Sequence, residues 1–372
     1  MQKKILGVYG SVDFSNYTRR TTFENIWKQH KEIEFLSFGG VKRYFGTDKV
    51  IPGPVFHKHY TWLPGRLRES DLLSGVEYLL RKNNRKSFFN RFDVVFFSDP
   101  NQHHLLKYLQ NQTVVYLIRD PNCLFNPQMY EGDKKLIERA DIIVCTAILL
   151  KDEYIEKYYN IKHPNVYYWP NTVDLEIWDV KKFTDYKPNN KRPVLGIAGN
   201  FPSPSDDLKL VDYLTDKHSE MDFHLSGKVK PDAREHPLFE KIINKPNFKL
   251  LDFIQFEELP GRIMSWDIGI VIGDKENEIA RYINNNKQYQ YLAMGKPFVT
   301  FDIHRDYDDF GDMVFIAEDY EDYSDKIELA LERAKKEDAV EKGVKIAQKH
   351  SAEVRAAQFL NILQDYFKKN EK

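Results

Sequence analysis

The sequence predicts an α/β protein built from two doubly wound parallel sheets. Three observations carry this. Short apolar runs alternate with amphipathic stretches, a polar Pro- and Asn-rich break interrupts them near the middle, and a second alternating set follows. A chain of 372 residues is long enough for two such domains, each with its own core.

In the first set, apolar runs lie at 5–9, 33–38, 94–97, 114–118, 142–145 and 166–169. Helical periodicity fills 22–31, 67–82, 103–110 and 150–159 between them. Strands separated by whole helices pair in parallel, because the connection is a crossover and not a hairpin. Residues 174–192 lose the pattern, and 187–193 (KPNNKRP) read as a linker. Runs at 194–198, 223–225, 248–253, 268–272, 298–301 and 313–316 restore it. The expected domains are 1–175 and 193–352, joined by 176–192. A last amphipathic segment carries Val354, Phe359, Leu360, Leu363 and Phe367 near one face.

Composition excludes several classes. A net charge of −1 argues against a nucleic-acid binder, whose surface is basic. Cys123 and Cys145 make neither a disulfide framework nor a C-x-x-C site. The first residues lack the apolar stretch of a signal peptide, and no run reaches the length of a membrane span. The expectation is a cytoplasmic protein.

Chemistry-bearing residues gather at the ends of predicted strands, where open α/β sheets bind ligand. Gly7 to Ser11 end the first strand and lead to Asp13 and Arg20. Asp99 and Asp120 each follow a strand directly, and a carboxylate there can accept a proton from a hydroxyl. An Arg119–Asp120 ion pair and plain loop charges are the structural alternatives. In the second half, Gly199-Asn200 and Gly227-Lys228 follow the first two strands, and glycine lets backbone N–H groups approach a phosphate. Lys287 opens a short helix that Gly295-Lys296-Pro297 stops; a helix N-terminus with an ammonium is an anion site. Residues 52–91 are basic, with interleaved aromatics, and suit anionic headgroups or a solvated helix face. Asp206-Asp207 and Asp306, Asp308 and Asp309 read as solvated acidic loops, and no metal is expected.

Asn286-Lys287, Tyr289 to Ala293 and Gly295-Lys296-Pro297 resemble the K-x-Y-E-Y-L-A-x-G-K-P segment of GT-B-fold glycosyltransferases. The nearer likeness is to transferases of bacterial polysaccharide assembly, of the teichuronic-acid and xanthan type. Two further stretches agree in order and separation. Lys134 to Thr146 with Tyr167 to Asp174 resembles the family's A-D-x-V to P-N-G-V-D passage, with Thr172 in place of Gly. Leu251 to Ile270 is similar to the stretch that meets the nucleotide base.

The resemblance implies the GT-B fold: two Rossmann-like domains facing a central cleft, with a terminal helix, 353–372, packing back on the first. It implies a hexosyltransferase-type enzyme that moves a sugar from a nucleoside-diphosphate sugar (UDP or GDP) to a glycan or lipid-linked acceptor. No metal or other cofactor is implied. Donor would be bound by Asn200, Lys228, Phe253, Ile254, Arg281, Lys287 and Gln290, and acceptor by Arg20 and Asp99. Asp120 is the first choice of base and Asp13 the second. Retaining relatives show Gly-Arg then Lys, and a spaced pair of Glu. This chain has Asn200, Ser205, Tyr282 and Gln290 at those places, which favours inversion. The resemblance also implies peripheral contact with a membrane-bound acceptor through 52–91. The alternatives are a degenerate transferase that only binds and a nucleotide-sugar 2-epimerase.

Overall fold

The computed structural model describes residues 3–10, 20–40, 53–61, 71–186, 190–203, 205–229, 236–303 and 305–370. The chain forms two compact units, Met1–Pro170 with Arg355–Lys372, and Asn171–Val354.

The first unit holds β1 (Ile5–Gly10), β2 (Ile33–Gly40), β3 (Val55–Thr61), β4 (Val94–Phe97), β5 (Thr113–Ile118), β6 (Ile142–Cys145) and β7 (Val166–Tyr168). They pair in parallel in the order β3-β2-β1-β4-β5-β6-β7. All of β4 is buried, as a central parallel strand covered on both faces must be. Its helices are α1 (Arg20–Gln29), α2 (Asp71–Phe89), α3 (Asn122–Phe125), α4 (Tyr130–Arg139) and α5 (Ile155–Tyr159). On one face, Phe23 of α1 stacks on Phe96 at 5.2 Å between ring centres. Phe359 of the terminal helix Ala352–Asn370 stacks on the same ring at 4.9 Å. The Trp169 indole N–H donates to the Arg355 carbonyl at 2.7 Å, tying that helix to the strand edge.

Two expectations change here. β3 is an added edge strand whose sequence, VFHKHYT, has no continuous apolar run and lies within the basic segment. Part of that segment is also core. The Arg85 guanidinium is buried and donates to the Tyr108 hydroxyl at 3.0 Å, and Phe89 is fully buried. A long aliphatic stem on the inward side of α2 carries its charge to an internal acceptor, not to solvent. Arg66, Arg68 and Trp62 of the same segment lie outside the described residues.

The second unit holds β8 (Val194–Ala198), β9 (Asp222–Ser226), β10 (Phe248–Leu251), β11 (Ile268–Ile270), β12 (Phe298–Phe301) and β13 (Val314–Ala317). These too are parallel, in the order β10-β9-β8-β11-β12-β13. Its helices are α6 (Leu208–Lys217), α7 (Pro237–Ile243), α8 (Leu259–Met264), α9 (Asn286–Ala293), α10 (Tyr320–Ala334) and α11 (Ala339–Lys349). Leu210, Leu214, Phe239 and Ile327 pack one face of the sheet. Ile263, Tyr289, Tyr291 and Ala347 pack the other. Each sheet reverses its strand order once, beside β1 and beside β8, which is the Rossmann arrangement with its ligand-binding switch point.

The break at 174–192 is less of a linker than its composition suggests. Trp178 is buried in the second core, and its N–H donates to the Asp174 carbonyl at 2.8 Å. One large apolar anchor outweighs the polar residues around it. The acidic loops are corrected at two positions, while Asp308 and Asp309 are exposed as expected. Asp207 is buried as the N-cap of α6, accepting from the Leu210 N–H at 3.0 Å. Asp306 is buried and accepts from the Asn284 amide at 2.8 Å. Among the described residues, no helix is long and apolar enough to cross a membrane.

Candidate functional site

The best-built site lies at the carboxyl edge of the second sheet. β8 is followed by Gly199, whose φ of +120° only glycine adopts without strain. Its N–H donates to the Ser226 carbonyl at 3.0 Å, which joins the turn after β8 to the turn after β9. Gly227 lies in that second turn, and a Cβ there would stand 1.8 Å from the Gly199 carbonyl oxygen. The two glycine turns therefore touch backbone to backbone, and neither tolerates a side chain.

Lys287 completes this surface. A Cβ built on Gly199 lies 3.5 Å from the Lys287 ammonium, so the charge sits directly over the glycine turn. Lys287 belongs to the first turn of α9, which Asn285 caps without a side-chain hydrogen bond. The Asn285 side chain thus leaves the helix N-terminal N–H groups uncapped, and their positive end adds to the ammonium. Tyr291 sets the position of α9. Its buried hydroxyl accepts from the Ala198 N–H at 3.0 Å and lies 3.2 Å from the Gly196 carbonyl. Burial pushes the Tyr291 hydroxyl pKa up, so it stays a neutral pin. The ring needs Gly269 beneath it, where a Cβ would come within 2.4 Å. Tyr289, the other aromatic of the motif, has its hydroxyl 3.0 Å from the Asn284 amide, and Asn284 in turn accepts from the Asn171 N–H at 3.2 Å.

Lys228 is exposed, with its ammonium 4.7 Å from the centre of the Phe253 ring, itself 52% exposed. Asn200 is exposed beside Gly199, and Ile254 is half-buried beside Phe253. Gln290 is half-buried on α9, three residues from Lys287 and so on the same helix face. Arg281 is half-buried in the turn Ala280–Tyr282 that precedes α9. The structure thus brings together Gly199, Gly227 and Lys287, and separately pairs Lys228 with Phe253.

In the first unit the predicted residues are more dispersed in role. Asp120 follows β5 and is paired with Arg119, Nε to Oδ2 at 2.9 Å, both partly exposed. Asp99 follows β4 and caps the turn Pro100–Tyr108, accepting from the Asn101 N–H at 2.8 Å. Arg20 opens α1, with Nε 3.4 Å from Glu24. Asp13 lies outside the described residues.

Sequence reasoning missed a buried carboxylate behind Asp120. Asp133 of α4 is fully buried and accepts from the hydroxyls of Tyr116 and, at 2.6 Å, Tyr159. The Asn122 amide reaches it at 3.3 Å. Burial pushes the Asp133 carboxyl pKa up, and the phenol and amide donors oppose that rise. The network holds α3, two residues beyond Asp120. Tyr154 adds a third phenol at 3.5 Å, and three tyrosines from separate elements around one Asp left no local signal in the sequence. A second surprise is Lys296, which is buried and donates to the Met264 carbonyl at 3.0 Å, with its pKa pushed down by desolvation to about 8.

No family model matches the sequence, and no curated protein matches it. Solved structures do. A glycosyltransferase from Rickettsia africae superimposes with a TM-score of 0.67 at 15% identity, over 99% of both chains. Sucrose-phosphate synthase from Thermosynechococcus elongatus gives 0.72 at 12% identity, over 99% of this chain and 100% of that one. HepE from Anabaena, in complex with UDP, gives 0.68 at 12% identity, over 97% of this chain and 100% of that one. Such identities speak to architecture alone, and the architecture they establish is the GT-B fold of glycosyltransferases.

Proposed function

We propose that this protein is a nucleotide-sugar-dependent glycosyltransferase. The observation that carries the reading is the Lys287 ammonium over the paired glycine turns, a positive charge beside closely approachable backbone that suits a diphosphate. The HepE neighbour was solved with UDP, which supports a nucleoside diphosphate as the ligand. On this reading Lys228, Arg281 and Asn200 share the diphosphate with Lys287. Phe253 and Ile254 meet the base, and Gln290 meets a ribose hydroxyl.

An acceptor hydroxyl attacks the anomeric carbon, the bond from that carbon to the diphosphate oxygen breaks, and Asp120 takes the hydroxyl proton. The configuration inverts because one displacement occurs. Basic groups and the α9 N-terminus neutralise the leaving diphosphate, so no metal is required. Asp99 and Arg20 orient a glycan or lipid-linked acceptor, and Asp13 is the reserve candidate for base. One observation favours a binding-only protein instead: Asp120 is already neutralised by Arg119. Melting the protein with UDP, GDP and their sugars, then following UDP or GDP release, separates the two. One nucleotide is expected to raise the melting temperature, and its sugar is expected to turn over, with Asp120→Asn losing turnover but keeping the shift. No shift with any nucleotide at millimolar concentration sinks the reading.

The exposed side of α2 supports peripheral attachment to a membrane on the cytoplasmic side. Val76, Leu79 and Leu80 are 49, 65 and 65% exposed, with Lys82 and Lys86 on the same helix. Flotation with phosphatidylglycerol vesicles is expected to carry the protein at low salt, and Leu79→Glu with Leu80→Glu to release it. Equal recovery of both proteins would remove the proposal.

A further inference from the structure

We propose that the second unit carries a divalent-cation site, of the Zn²⁺ type, made by His218 Nδ1 and the carboxylates of Glu220 and Glu328. His218 follows α6 directly, Glu220 leads into β9, and Glu328 projects from α10. The three ligand atoms lie within 4.8 Å of one another. The imidazole itself is only 7% exposed.

Within the cluster, side-chain hydrogen bonds serve one carboxylate at most, and the exposed Glu220 and Glu328 otherwise face water. His218 Nε2 lies 2.8 Å from Ser324 Oγ, while Nδ1 lies 3.3 Å from Glu220 and 4.0 Å from Glu328. With the proton on Nε2, the Nδ1 lone pair faces two carboxylates, and all three groups are acceptors. With the proton on Nδ1, one carboxylate is served and the other is not. Of the neighbouring cations, Arg192 donates to the carbonyls of Glu220 and Met221 and pairs with Asp222, while Lys335 pairs with Glu332 and reaches Glu328 only through its charge, without an ion-pair contact. A bound cation satisfies all three acceptors at once, with Ser324 fixing the imidazole tautomer as an outer partner does in metal sites.

Geometry and chemistry select the ion. Ligands about 2.0–2.1 Å from tetrahedral zinc stand roughly 3.3 Å apart, which is the His218–Glu220 spacing. Glu328 is a long, 60% exposed side chain and needs to close on His218 by less than about 1 Å, and on Glu220 by no more than about 1.5 Å. Imidazole with carboxylates suits Zn²⁺ better than Mg²⁺ or Ca²⁺. Glu220 and Glu328 also line a cavity of about 670 Å³, which leaves room for a water as fourth ligand. The cation would clip the end of α6 to α10. It sits at the amino end of β9, whereas Lys228 follows the carboxyl end, so it takes no part in the proposed transfer.

The test is calorimetric titration of ZnCl₂ into full-length protein stripped with EDTA and dialysed, with melting followed in parallel. One equivalent is expected to bind at micromolar Kd or tighter and to raise the melting temperature. Glu328→Gln, a surface change that leaves the metal-free protein's melting unaltered, is expected to weaken binding by at least about tenfold. His218→Asn should weaken it too, and His236→Ala, outside the cluster, should not. Substoichiometric uptake by the wild type, or an unchanged Kd in Glu328→Gln, overturns the proposal.

Discussion

Lys287→Ala is expected to lower kcat/KM for the nucleotide-sugar by about 100-fold, roughly 2.7 kcal/mol of transition-state stabilisation. The ammonium stands over the Gly199 turn, where charge on a departing diphosphate would build up. An interaction that strengthens as charge develops affects turnover more than ground-state binding. Folding should be spared: Lys287 is only half-buried, and alanine is the best helix former at its position in α9. Initial rates of UDP or GDP release, with circular dichroism melting as the control, decide it. A variant within about threefold of wild type would show that Lys287 does not face the diphosphate.

The second large effect is on stability. Asp133→Leu is expected to cost about 3–5 kcal/mol in the first unit, from stranded donors at about 1–3 kcal/mol each. Leucine keeps the γ-branched shape but is larger, so it crowds the site and strands the Tyr116 and Tyr159 hydroxyls, both of which donate to Asp133 in a buried setting. It also releases the Asn122 amide, and with it the start of the segment beyond Asp120. Urea unfolding followed by a probe in the first unit is the measurement, because a two-unit chain need not unfold in one step. A loss below about 1 kcal/mol would mean that the phenols find other partners.

What was legible in the sequence was whatever rests on local pattern. The runs at 94–97, 142–145 and 194–198 appear as strands because both faces of a parallel strand are buried, and the Gly295-Lys296-Pro297 stop falls where α9 ends. Gly199 and Lys287 could be marked as an anion site separately, from strand-end glycine and helix-start lysine, but their meeting could not be read. That depends on the Tyr291 hydroxyl reaching across to Ala198. Lys296 was legible as part of a helix stop and illegible as a buried amine, because its burial is set by Met264, which is remote in sequence. Asp207 looked like half of an acidic loop, since a cap is recognised only once the helix it starts is placed. β3 was hidden by its own composition: an edge strand needs no continuous apolar run.

The terminal helix has a consequence for the order in which the chain is made. Phe359 and Ile362 belong to the core that Phe96 and Trp169 build, yet the whole of Asn171–Val354 lies between them in sequence. During synthesis, the second unit can leave the ribosome and fold as a continuous piece. The first unit, although begun earlier, must wait with part of one face of its sheet uncovered, α1 alone packing there, until residues 355–370 emerge. A nascent chain stalled short of that point would hold a finished later domain and an unfinished earlier one, with an aromatic surface open to chaperones.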